Sequence, residues 1–536
     1  MSSDDSGPGA WAERTSSRRE FLARLSAAGL GVAAAGSLGP LESAFAAPRL
    51  ATPARGGNLR IGYLGNGTSE TYNPALANTP IDSLHGFAVF DPLVRSGPYH
   101  GYEPGLAVGW QHNKNATVWE IRLRDGVTWH DGKPFTADDV IYTFRTLGKP
   151  SHLGHYAGVQ LRLRDLKKLS NTLVHVPVVR PIADLRAYFN YFNAAIVVQN
   201  GAKDFSKPIG TGPYKLTSFT PGQRSVLAAN RDYWDHPRPY PDQVDLISID
   251  DDTARLNSLL SGQTDICGLL NFAQGRAGLK DKRYRTNVGY GGFGACFNMR
   301  VDKAPFTDVR VRQAMKYLAN RPALIQTALS GFGDVLNDIP GKGYPHYNSS
   351  LPQRHQDIAK AKSLLKAAGQ SDIQFTLQTT DAGLGQLQAA EAFIQQCKSA
   401  GISGAQLKVE PVSSYYNPAI LFTKMTFAQN IWAISSLNAF YSQALTRGAP
   451  LGETHWHSAS FDRLYYAAQG ETNPAKAQRL WNQVQKIQHD QGGYIFWAEV
   501  HGVDAVSHKV VGLGGPGVGW AYPTGDQRIW DWAFSS

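Results

Sequence analysis

Strand patterns and helical patterns alternate along the chain, and this alternation limits the possible folds more than any other feature. Apolar and polar residues alternate over residues 59–63 and 119–124, as they do in half-buried strands. Apolar residues recur at helical spacing after Asp308 and between Asp357 and Gly369, and each aspartate can cap the N-terminus of a helix. Neither an internal repeat nor a low-complexity tract interrupts this order. We therefore predict an α/β fold.

The first 46 residues have the organisation of an export signal. An arginine pair precedes a mildly apolar run at residues 25–38 that is rich in Ala and Gly, and the small residues Ala44 and Ala46 follow. This order is typical of a signal peptide, and the arginine pair is typical of the twin-arginine export route. An amphipathic first helix is the alternative, but the glycine content disfavours it. The residues that form the export signal are Arg18, Arg19, Phe21 and Leu22.

The length that remains after cleavage exceeds what one hydrophobic core usually supports. Cleavage after residue 46 of the 536 residues leaves 490, whereas single cores stop growing at about 250–300 residues. No later stretch has the roughly 18 apolar residues that a membrane-spanning helix needs, and no cysteine directly follows the cleavage site to carry a lipid anchor. We therefore expect a periplasmic protein of at least two lobes, without a lipid anchor.

Charge and cysteine content argue against two further classes of protein. The net charge of the chain is +10, but its lysines and arginines are scattered with no run of five, which disfavours a nucleic-acid-binding protein. Cys267, Cys296 and Cys397 are odd in number and far apart, so at most one disulfide can form. Twin-arginine substrates fold in a reducing compartment before export, so we expect a fold that does not depend on disulfides.

Several short motifs are similar to cofactor or metal sites, but their surroundings do not support that function. Residues 289–294 and 512–517 both fit G-x-G-x-x-G, yet a strand pattern follows the first and a proline interrupts the second, so we predict loops at both. His455, His457 and His130 have no evident set of three or four convergent ligands nearby, which zinc requires. The chain contains no H-E-x-x-H, P-loop or G-x-S-x-G sequence. We therefore predict no metal, no cofactor and no enzymatic activity.

Three ordered segments carry a resemblance to a known family. They are LAVGWQHNKNATVWEIRLRDGVTWHDGKPFTADDVIYTFR at residues 106–145, a segment beginning GTGPYKLTSFTPGQRSVLAANRDYW at residues 210–266, and one beginning FNMRVDKAPFTDVRVRQAMKYLANR at residues 297–333. In order and spacing they resemble the family 5 extracytoplasmic solute-binding proteins of peptide, nickel and opine ABC importers. The resemblance implies a type II-like, cluster C periplasmic binding protein fold with two lobes, a hinge and an inserted third subdomain.

The resemblance also implies where the lobes begin and end. The signal peptide would be residues 1–46, and lobe one would be discontinuous. The expected ranges are residues 47–80, 207–292 and 501–536 for lobe one, 81–206 for the inserted subdomain, and 293–500 for lobe two. In such a protein the hinge allows the two lobes to close on a ligand.

Trp432 is the residue that we most expect to bind the ligand. The segment FAQNIWAIS at residues 427–435 resembles the family strand whose tryptophan reaches the cleft between the lobes. An indole offers a large flat surface and one hydrogen-bond donor. A plain core tryptophan is the alternative. The resemblance implies further contacts at the same cleft from Tyr63, Asn66, Phe293, Ser435, Tyr441 and Trp497.

Ser435 bears on the charge of the ligand. In the peptide binders that the chain resembles, an Asp three residues after this tryptophan pairs with the α-ammonium of the peptide, and Ser435 occupies that place here. Burying an ammonium without a carboxylate is costly, and residues 430–443 contain no Asp or Glu. We therefore expect a neutral or anionic solute, unless an acid from another loop enters the cleft.

The function implied by the resemblance is the capture and delivery of a solute. The receptor would close on a small polar or amphipathic solute of the peptide or opine class, or a sugar-like one, and present it to the inner-membrane ABC permease and its ATPase. It would act as a monomer, without cofactor or nucleic acid, after export through the twin-arginine translocase. An oligosaccharide or a metal chelate is the alternative ligand. A periplasmic enzyme or cofactor-binding protein, exported in folded form, is the alternative function.

Overall fold

The computed structural model describes residues 52–77, 79–97, 101–190, 192–416, 418–421, 424–513 and 526–536. The predicted export signal at Arg18, Arg19, Phe21 and Leu22 lies outside these residues, and so does the second glycine motif from residue 514 onward. Ala51–Ser536 form one folded unit. Among the described residues, no helix is both long and apolar enough to cross a membrane.

Strands and helices alternate through the described residues. The strands are β1 (Pro53–Ala54), β2 (Asn58–Tyr63), β3 (Val94–Ser96), β4 (Tyr102–Pro104), β5 (Ala107–His112), β6 (Val118–Leu123), β7 (Lys167–Ser170), β8 (Leu173–Pro177), β9 (Tyr214–Thr220), β10 (Arg224–Ala229), β11 (Gln243–Ser248), β12 (Ile266–Cys267), β13 (Arg285–Met299), β14 (Gly333–Val335), β15 (Phe375–Thr379), β16 (Ala405–Val409), β17 (Phe427–Ala433), β18 (Tyr494–Val506), β19 (Val510–Val511) and β20 (Ala533–Ser535). The α-helices are α1 (Pro80–Val89), α2 (Ala137–Leu147), α3 (His155–Gly158), α4 (Phe192–Ala195), α5 (Asp252–Leu260), α6 (Phe272–Gly278), α7 (Val309–Leu318), α8 (Arg321–Ala328), α9 (Ile358–Ala367), α10 (Gln386–Ser399), α11 (Val412–Tyr415), α12 (Pro418–Leu421), α13 (Leu437–Ala444), α14 (Ala459–Gly470) and α15 (Pro474–Gln491). Short 3-10 helices lie at Gly67–Ser69, Leu185–Tyr188 and Asp526–Asp531.

Local sequence patterns predicted several of these elements correctly. Asp308 accepts a hydrogen bond from the backbone N–H of Arg310 at the start of α7, and Asp357 accepts one from Lys360 at the start of α9. β2 and β6 cover the two segments of alternating residues. The first glycine motif, at residues 289–294, lies inside β13 instead of in the predicted loop. That prediction is wrong because the glycines continue the strand through an irregular register rather than end it.

One large sheet forms the framework of the described chain. Its strand order is β16-β15-β17-β13-β18-β12-β2-β11-β10-β9, and β14 pairs with β18 beside this path. The antiparallel strands β13 and β18 contain 15 and 13 residues, and their register shifts between Gly289 and Phe293. On one side of this irregularity β13 pairs with β17, and on the other side β18 pairs with β12. The two long strands therefore join the two halves of the sheet.

Separate hydrophobic cores lie on either side of the register irregularity. One core packs α1, β2 and β9 to β11 against the C-terminal 3-10 helix, around the buried Trp530 and Trp532. The other packs β13, β17 and β18 against α13 to α15, around the buried Phe440 and Trp481. The first core draws on segments expected for lobe one, and the second on segments expected for lobe two.

A third core belongs to the inserted subdomain. Its antiparallel sheet, in the order β5-β6-β8-β7, packs against α2 around Trp119, Trp129 and Phe144. This core is drawn from residues 93–197, together with Ala439 of α13. The insert was expected to begin at residue 81, but α1 packs its apolar residues into the core of lobe one. We therefore propose that the insert begins after α1.

Candidate functional site

The sheet brings four strands together close to the point where the lobes meet. Gly294 of β13 pairs with Trp432 of β17 on one side and with Glu499 of β18 on the other. Glu499 in turn pairs with Asp334 of β14. Directly opposite residues on neighbouring strands project from the same face of a sheet, so the side chains of Asp334, Glu499 and Trp432 form one row with Gly294. This four-strand row lies beside the register irregularity of β13 and β18.

Trp432 is nearly buried and contacts an acid that the sequence did not reveal. Its side chain is 8% exposed, and its ring meets Phe440 edge to face, with the ring centroids 5.1 Å apart. The indole N–H donates to Oε1 of Glu453 at 2.6 Å, and the amide of Asn430 donates to Oε2 at 2.8 Å. Burial raises the pKa of Glu453 to about 7, although these donors oppose the shift. A buried acid from the segment before α14 thus lies against the predicted ligand-binding tryptophan.

The loop after β17 contacts the inserted subdomain. Ser435 is buried, and its carbonyl oxygen accepts a hydrogen bond from Nδ2 of Asn190 at 3.1 Å. The hydroxyl of Ser436, which caps α13, donates to the carbonyl oxygen of Ala187 at 2.9 Å. Phe293 is also buried, and it pairs with the last residue of β17. Ser435 and Phe293 thus both lie near the end of β17, and a ligand contact from either stays a prediction.

Tyr63 and Asn66 lie on lobe one, at the end of β2 and just after it. The ring of Tyr63 is buried so closely against Gly268 that a Cβ atom on this glycine would lie 2.1 Å from the ring. Asn66 is half-buried, and its backbone N–H donates to Oε1 of Glu70 at 3.1 Å. A ligand contact from either residue stays a prediction.

Tyr441 and Trp497 lie in the core of the protein rather than at a surface. Both are 0% exposed. The hydroxyl of Tyr441 donates to Oε1 of Gln488 at 2.7 Å, and its ring stacks on that of Trp481 with the centroids 5.7 Å apart. Trp497 stacks on Phe297 with the centroids 6.2 Å apart. Neither side chain presents a surface that a ligand can touch in this conformation, so the expectation that they border the cleft finds no support here.

Glu499 is a second buried acid in the same region, and no sequence motif pointed to it. Its side chain is 5% exposed, and Oε1 accepts a hydrogen bond from the backbone N–H of Gly292 at 3.3 Å. Burial raises the pKa of Glu499 to about 8; the N–H of Gly292 opposes this shift, the charge of Asp334 adds to it, and the charge of Lys342 opposes it. No lysine or arginine in the described part of the chain forms an ion pair with Glu499. The carboxyl group is therefore desolvated without an ion-pair partner among the described residues.

Direct hydrogen bonds join the inserted subdomain to lobe two. The hydroxyls of Tyr188 and Tyr465 are 3.1 Å apart, and the side-chain amide of Gln469 donates to both of them. These three residues are called the cross-lobe triad below. Next to it, the backbone N–H of Ala183 donates to the carbonyl oxygen of Gln469 at 2.7 Å. These contacts hold the insert against lobe two.

The described residues contain no cluster of three or more His, Cys, Asp or Glu side chains suited to hold a metal ion. Nε2 of His130 lies 3.0 Å from the carbonyl oxygen of Gly212. Nδ1 of His455 lies 3.5 Å from the carboxylate of Asp302. Both histidines therefore have partners that belong to the fold. The three cysteines, all free and buried, are Cys267, Cys296 and Cys397.

Comparisons with known proteins identify relatives of the chain. Residues 101–450 match the model of the bacterial extracellular solute-binding proteins, family 5 Middle. The chain is 27% identical over 308 residues to the nickel-binding periplasmic protein of Escherichia coli (strain K12), and 28% identical over 344 residues to the dipeptide-binding protein of that strain. These matches cover 55% and 57% of this chain, and 58% and 63% of the two relatives. The chain thus spans about three-fifths of the length of these curated relatives.

A solved structure shows the same fold. The ABC transporter-associated periplasmic binding protein DppA from Helicobacter pylori, in complex with the peptide STSA, superposes with a TM-score of 0.76 at 21% identity, over 90% of this chain and 99% of that chain. The fold is that of the two-lobed periplasmic binding proteins, as the sequence predicted. Because the family model matches more than half of the chain, the protein belongs to the bacterial extracellular solute-binding proteins of family 5.

Proposed function

We propose that the protein is the substrate-binding component of an ABC importer. It captures a small polar or amphipathic solute of the peptide or opine class between its lobes and delivers it to an inner-membrane permease and its ATPase. Membership of the family supports a binding role, since the relatives named above are binding proteins for nickel and dipeptides. The solute is released unchanged, without a cofactor or a covalent step.

The observation that carries this proposal is the pair of strands that connects the lobes. β13 and β18 run between the two cores, and their pairing is irregular at a glycine-rich stretch where Gly292 has a φ of 97°. A hinge needs a few residues that absorb backbone rotation, and glycine does so at low cost. The irregularity also supports the expected lobe boundaries at residues 292 and 500. A solute that touches both lobes binds the closed state better and shifts the population toward it.

The test starts from the solute that co-purifies with the protein. Small molecules released by denaturation would be identified by mass spectrometry, and refolded protein would be titrated with them. We expect a higher thermal midpoint and a smaller radius of gyration in X-ray scattering, because occupancy at about 100 times the dissociation constant adds about 2.7 kcal/mol to stability. Failure of every co-purifying solute, and of peptides, opines and oligosaccharides, to compact the protein would contradict the proposal. A chemically altered solute would favour the enzymatic alternative.

Export by the twin-arginine route into the periplasm is a further part of the proposal. The support is the sequence pattern around Arg18 and Arg19. Changing both to lysine keeps the charge and loses the planar guanidinium groups, so we expect the periplasmic protein to disappear while the cytoplasmic pool remains. Arg14→Lys in the same leader is the matched control and should export normally. Undiminished periplasmic protein in the double variant would rule out this route.

A further inference from the structure

We propose that Glu499 binds a cationic group of the solute, an ammonium or a guanidinium, when the lobes close. The proposal rests on the proposed function and deepens it, because it assigns a chemical class to the solute and a residue to its recognition. It also reverses the expectation of a neutral or anionic solute, which depended on the absence of an acid from the segment around Ser435. The carboxylate comes instead from β18.

The position of Glu499 is the first support. It stands in the four-strand row, separated from Trp432 by Gly294, which has no side chain of its own. The ring of Phe496 fills the space over this glycine on that face, since a Cβ atom there would be 2.9 Å from the ring. An aromatic ring and a carboxylate thus lie side by side on the same face of the sheet. This pair of groups suits a solute with an apolar body and a cationic end.

The second support is that Glu499 is buried without a cation. Its one hydrogen bond from the described residues, the N–H of Gly292, is 3.3 Å long, and normal N–H···O bonds are about 2.9–3.0 Å. A carboxylate has room for several donors, and burying it with so few is costly. The cost falls if a cationic ligand completes the site. The raised pKa of Glu499 has the same cause, which is the burial of its carboxyl group.

The third support is that Glu499 connects the hinge to the loop that contacts the insert. Gly292, which donates to Glu499, accepts a hydrogen bond on its carbonyl oxygen from the N–H of Ile434 at 2.7 Å. The carbonyl oxygen of Ile434 accepts from the hydroxyl of Tyr344 at 2.5 Å. The next residue, Ser435, holds Asn190 of the insert. A ligand at Glu499 would therefore bind next to the hydrogen bonds that link the hinge glycine Gly292 to the insert.

A purely structural role as an acceptor for Gly292 is the competing explanation, and Glu499→Gln separates the two. Glutamine keeps the size of the side chain and an oxygen that accepts from the N–H of Gly292, but it cannot pair with a cation. Asp334→Asn is the matched control. Asp334 occupies the same row, also carries a carboxyl group and has a side chain that is 53% exposed. Thermal unfolding of both variants would confirm that they are folded.

Calorimetry would use the co-purifying solutes, the peptide Ser-Thr-Ser-Ala and its N-acetylated form as probes. We expect wild type to bind a solute with a free cationic group, Glu499→Gln to bind it at least tenfold more weakly, and Asp334→Asn to stay within twofold of wild type. Equal binding by wild type and Glu499→Gln would overturn the inference. So would a bound solute that carries no cationic group. If that solute still closes the protein, the proposed function stands without the inference, whereas if no solute closes the protein the proposed function itself has failed.

Proton release gives a readout that a structural role would not produce. An empty site holds Glu499 mostly protonated at neutral pH, so pairing with a cation should release about one proton per solute, seen as a dependence of the binding heat on the buffer. The Glu499→Gln variant should release none. Binding heat that is independent of the buffer in wild type would contradict the proposal. The other titratable groups around this site, whose contribution the variant pair subtracts, are Asp334, Lys342, Tyr344, Tyr347 and His501.

Discussion

Two buried carboxyl groups of lobe two have opposite surroundings. Asp338 lies beside β18, and Glu499 is part of that strand. The N–H of Asp338 donates to the carbonyl oxygen of Phe496 on β18, the strand that also carries Glu499. The two oxygens of Asp338 receive the guanidinium groups of Arg321 and Arg354. Within the described residues, Glu499 receives only a backbone N–H. One carboxylate is therefore fully paired by the chain, and the other is not.

The pKa values of the two groups diverge for the same reason. Burial alone would raise the pKa of Asp338, but the charges of Arg321 and Arg354, with a smaller contribution from Lys316, hold it below its usual value. Burial raises the pKa of Glu499 to about 8. A charge compensated from within the chain belongs to the fold, whereas a buried acid without an ion-pair partner is a candidate binding group. The four predictions that follow test this distinction.

Asp338→Asn should have the largest effect on stability. Asparagine keeps the shape of the side chain and tolerates the left-handed backbone of this residue, whose φ is 61°. The change leaves Arg321 and Lys316 buried without a counter-charge, and leaves Arg354 with Asp490 at 3.9 Å. Breaking a buried ion pair from one side costs about 3–5 kcal/mol, which urea unfolding would measure as a lower midpoint.

The matched control for Asp338 removes an ion pair at the surface. Lys168 and Asp138 are 2.7 Å apart, and their side chains are 35% and 50% exposed. Lys168→Met should lower the free energy of unfolding by less than about 1 kcal/mol, because exposed pairs contribute little. Equal losses in the two variants would show that the pairing of Asp338 has no special role in the fold.

Glu499→Gln should change stability in the opposite direction and in a way that depends on pH. The folded pKa of about 8 lies above the 4.5 of an unperturbed glutamate. The contribution of Glu499 to the free energy of unfolding is therefore fully present below pH 4.5 and is lost as the pH rises through 8. The variant does not titrate, so its free energy of unfolding should rise relative to that of wild type across this interval, by about 1.4 kcal/mol for each unit of the pKa shift. Urea unfolding of both proteins at a series of pH values measures the difference.

Asp338 supplies the contrast for this pH series. Its pKa is lowered below the 3.8 of an unperturbed aspartate, so its contribution is present above that pH and is lost as the pH falls through the folded pKa. The difference in the free energy of unfolding between Asp338→Asn and wild type should therefore become smaller only at acidic pH. The corresponding difference for Glu499→Gln should increase toward neutral and basic pH. If the free energies of unfolding of the two variants changed with pH in the same way, the contrast between Asp338 and Glu499 would be wrong.

Trp432→Phe should have an intermediate effect on stability, because it disturbs Glu453, whose hydrogen-bond donors Trp432 and Asn430 are neutral. The change keeps an aromatic ring in the core and removes the N–H that donates to Glu453. Leaving a buried acceptor unpaired costs about 1–3 kcal/mol. A double-mutant cycle with Glu453→Gln isolates the pair, and we expect a coupling energy of about 1 kcal/mol or more. Strictly additive losses would mean that Trp432 contributes only its ring.

The sequence predicted what depends on neighbouring residues and missed what depends on distant ones. The caps at Asp308 and Asp357 need only the next turn of helix, and the place of Trp432 followed from the resemblance. Glu453 is 21 residues from Trp432, and Glu499 comes near it only through the pairing of three strands. The expected charge of the solute rested on the segment around Ser435, which contains no acid. The fold brings Glu453 and Glu499 near Trp432 from other segments. The glycine motif was misassigned because strand pairing overrode the turn preference of glycine.

The smallest effect on stability is expected for the cross-lobe triad, which joins the lobes without any charge. Tyr188→Phe keeps the ring and removes one hydroxyl from the triad with Tyr465 and Gln469. A neutral hydrogen bond contributes about 0.5–1.5 kcal/mol, so the unfolding midpoint should change little. The same energy shifts an equilibrium about fivefold, so the solute-free variant should populate the open state more and have a larger radius of gyration in X-ray scattering.

The control for the triad is Tyr142→Phe, which removes a hydroxyl that donates to Ala202 at 2.7 Å, away from lobe two. Tyr142→Phe loses one neutral hydrogen bond and Tyr188→Phe loses two, so both unfolding midpoints should fall only slightly, but only Tyr188→Phe should expand the solute-free protein. A solute bound at Glu499 should compact Tyr188→Phe again, because an ion pair formed on closure is stronger than a neutral hydrogen bond. If the two variants have the same radius of gyration, the triad does not hold the lobes closed. The closed state would then depend on the packing of the insert around Ala439.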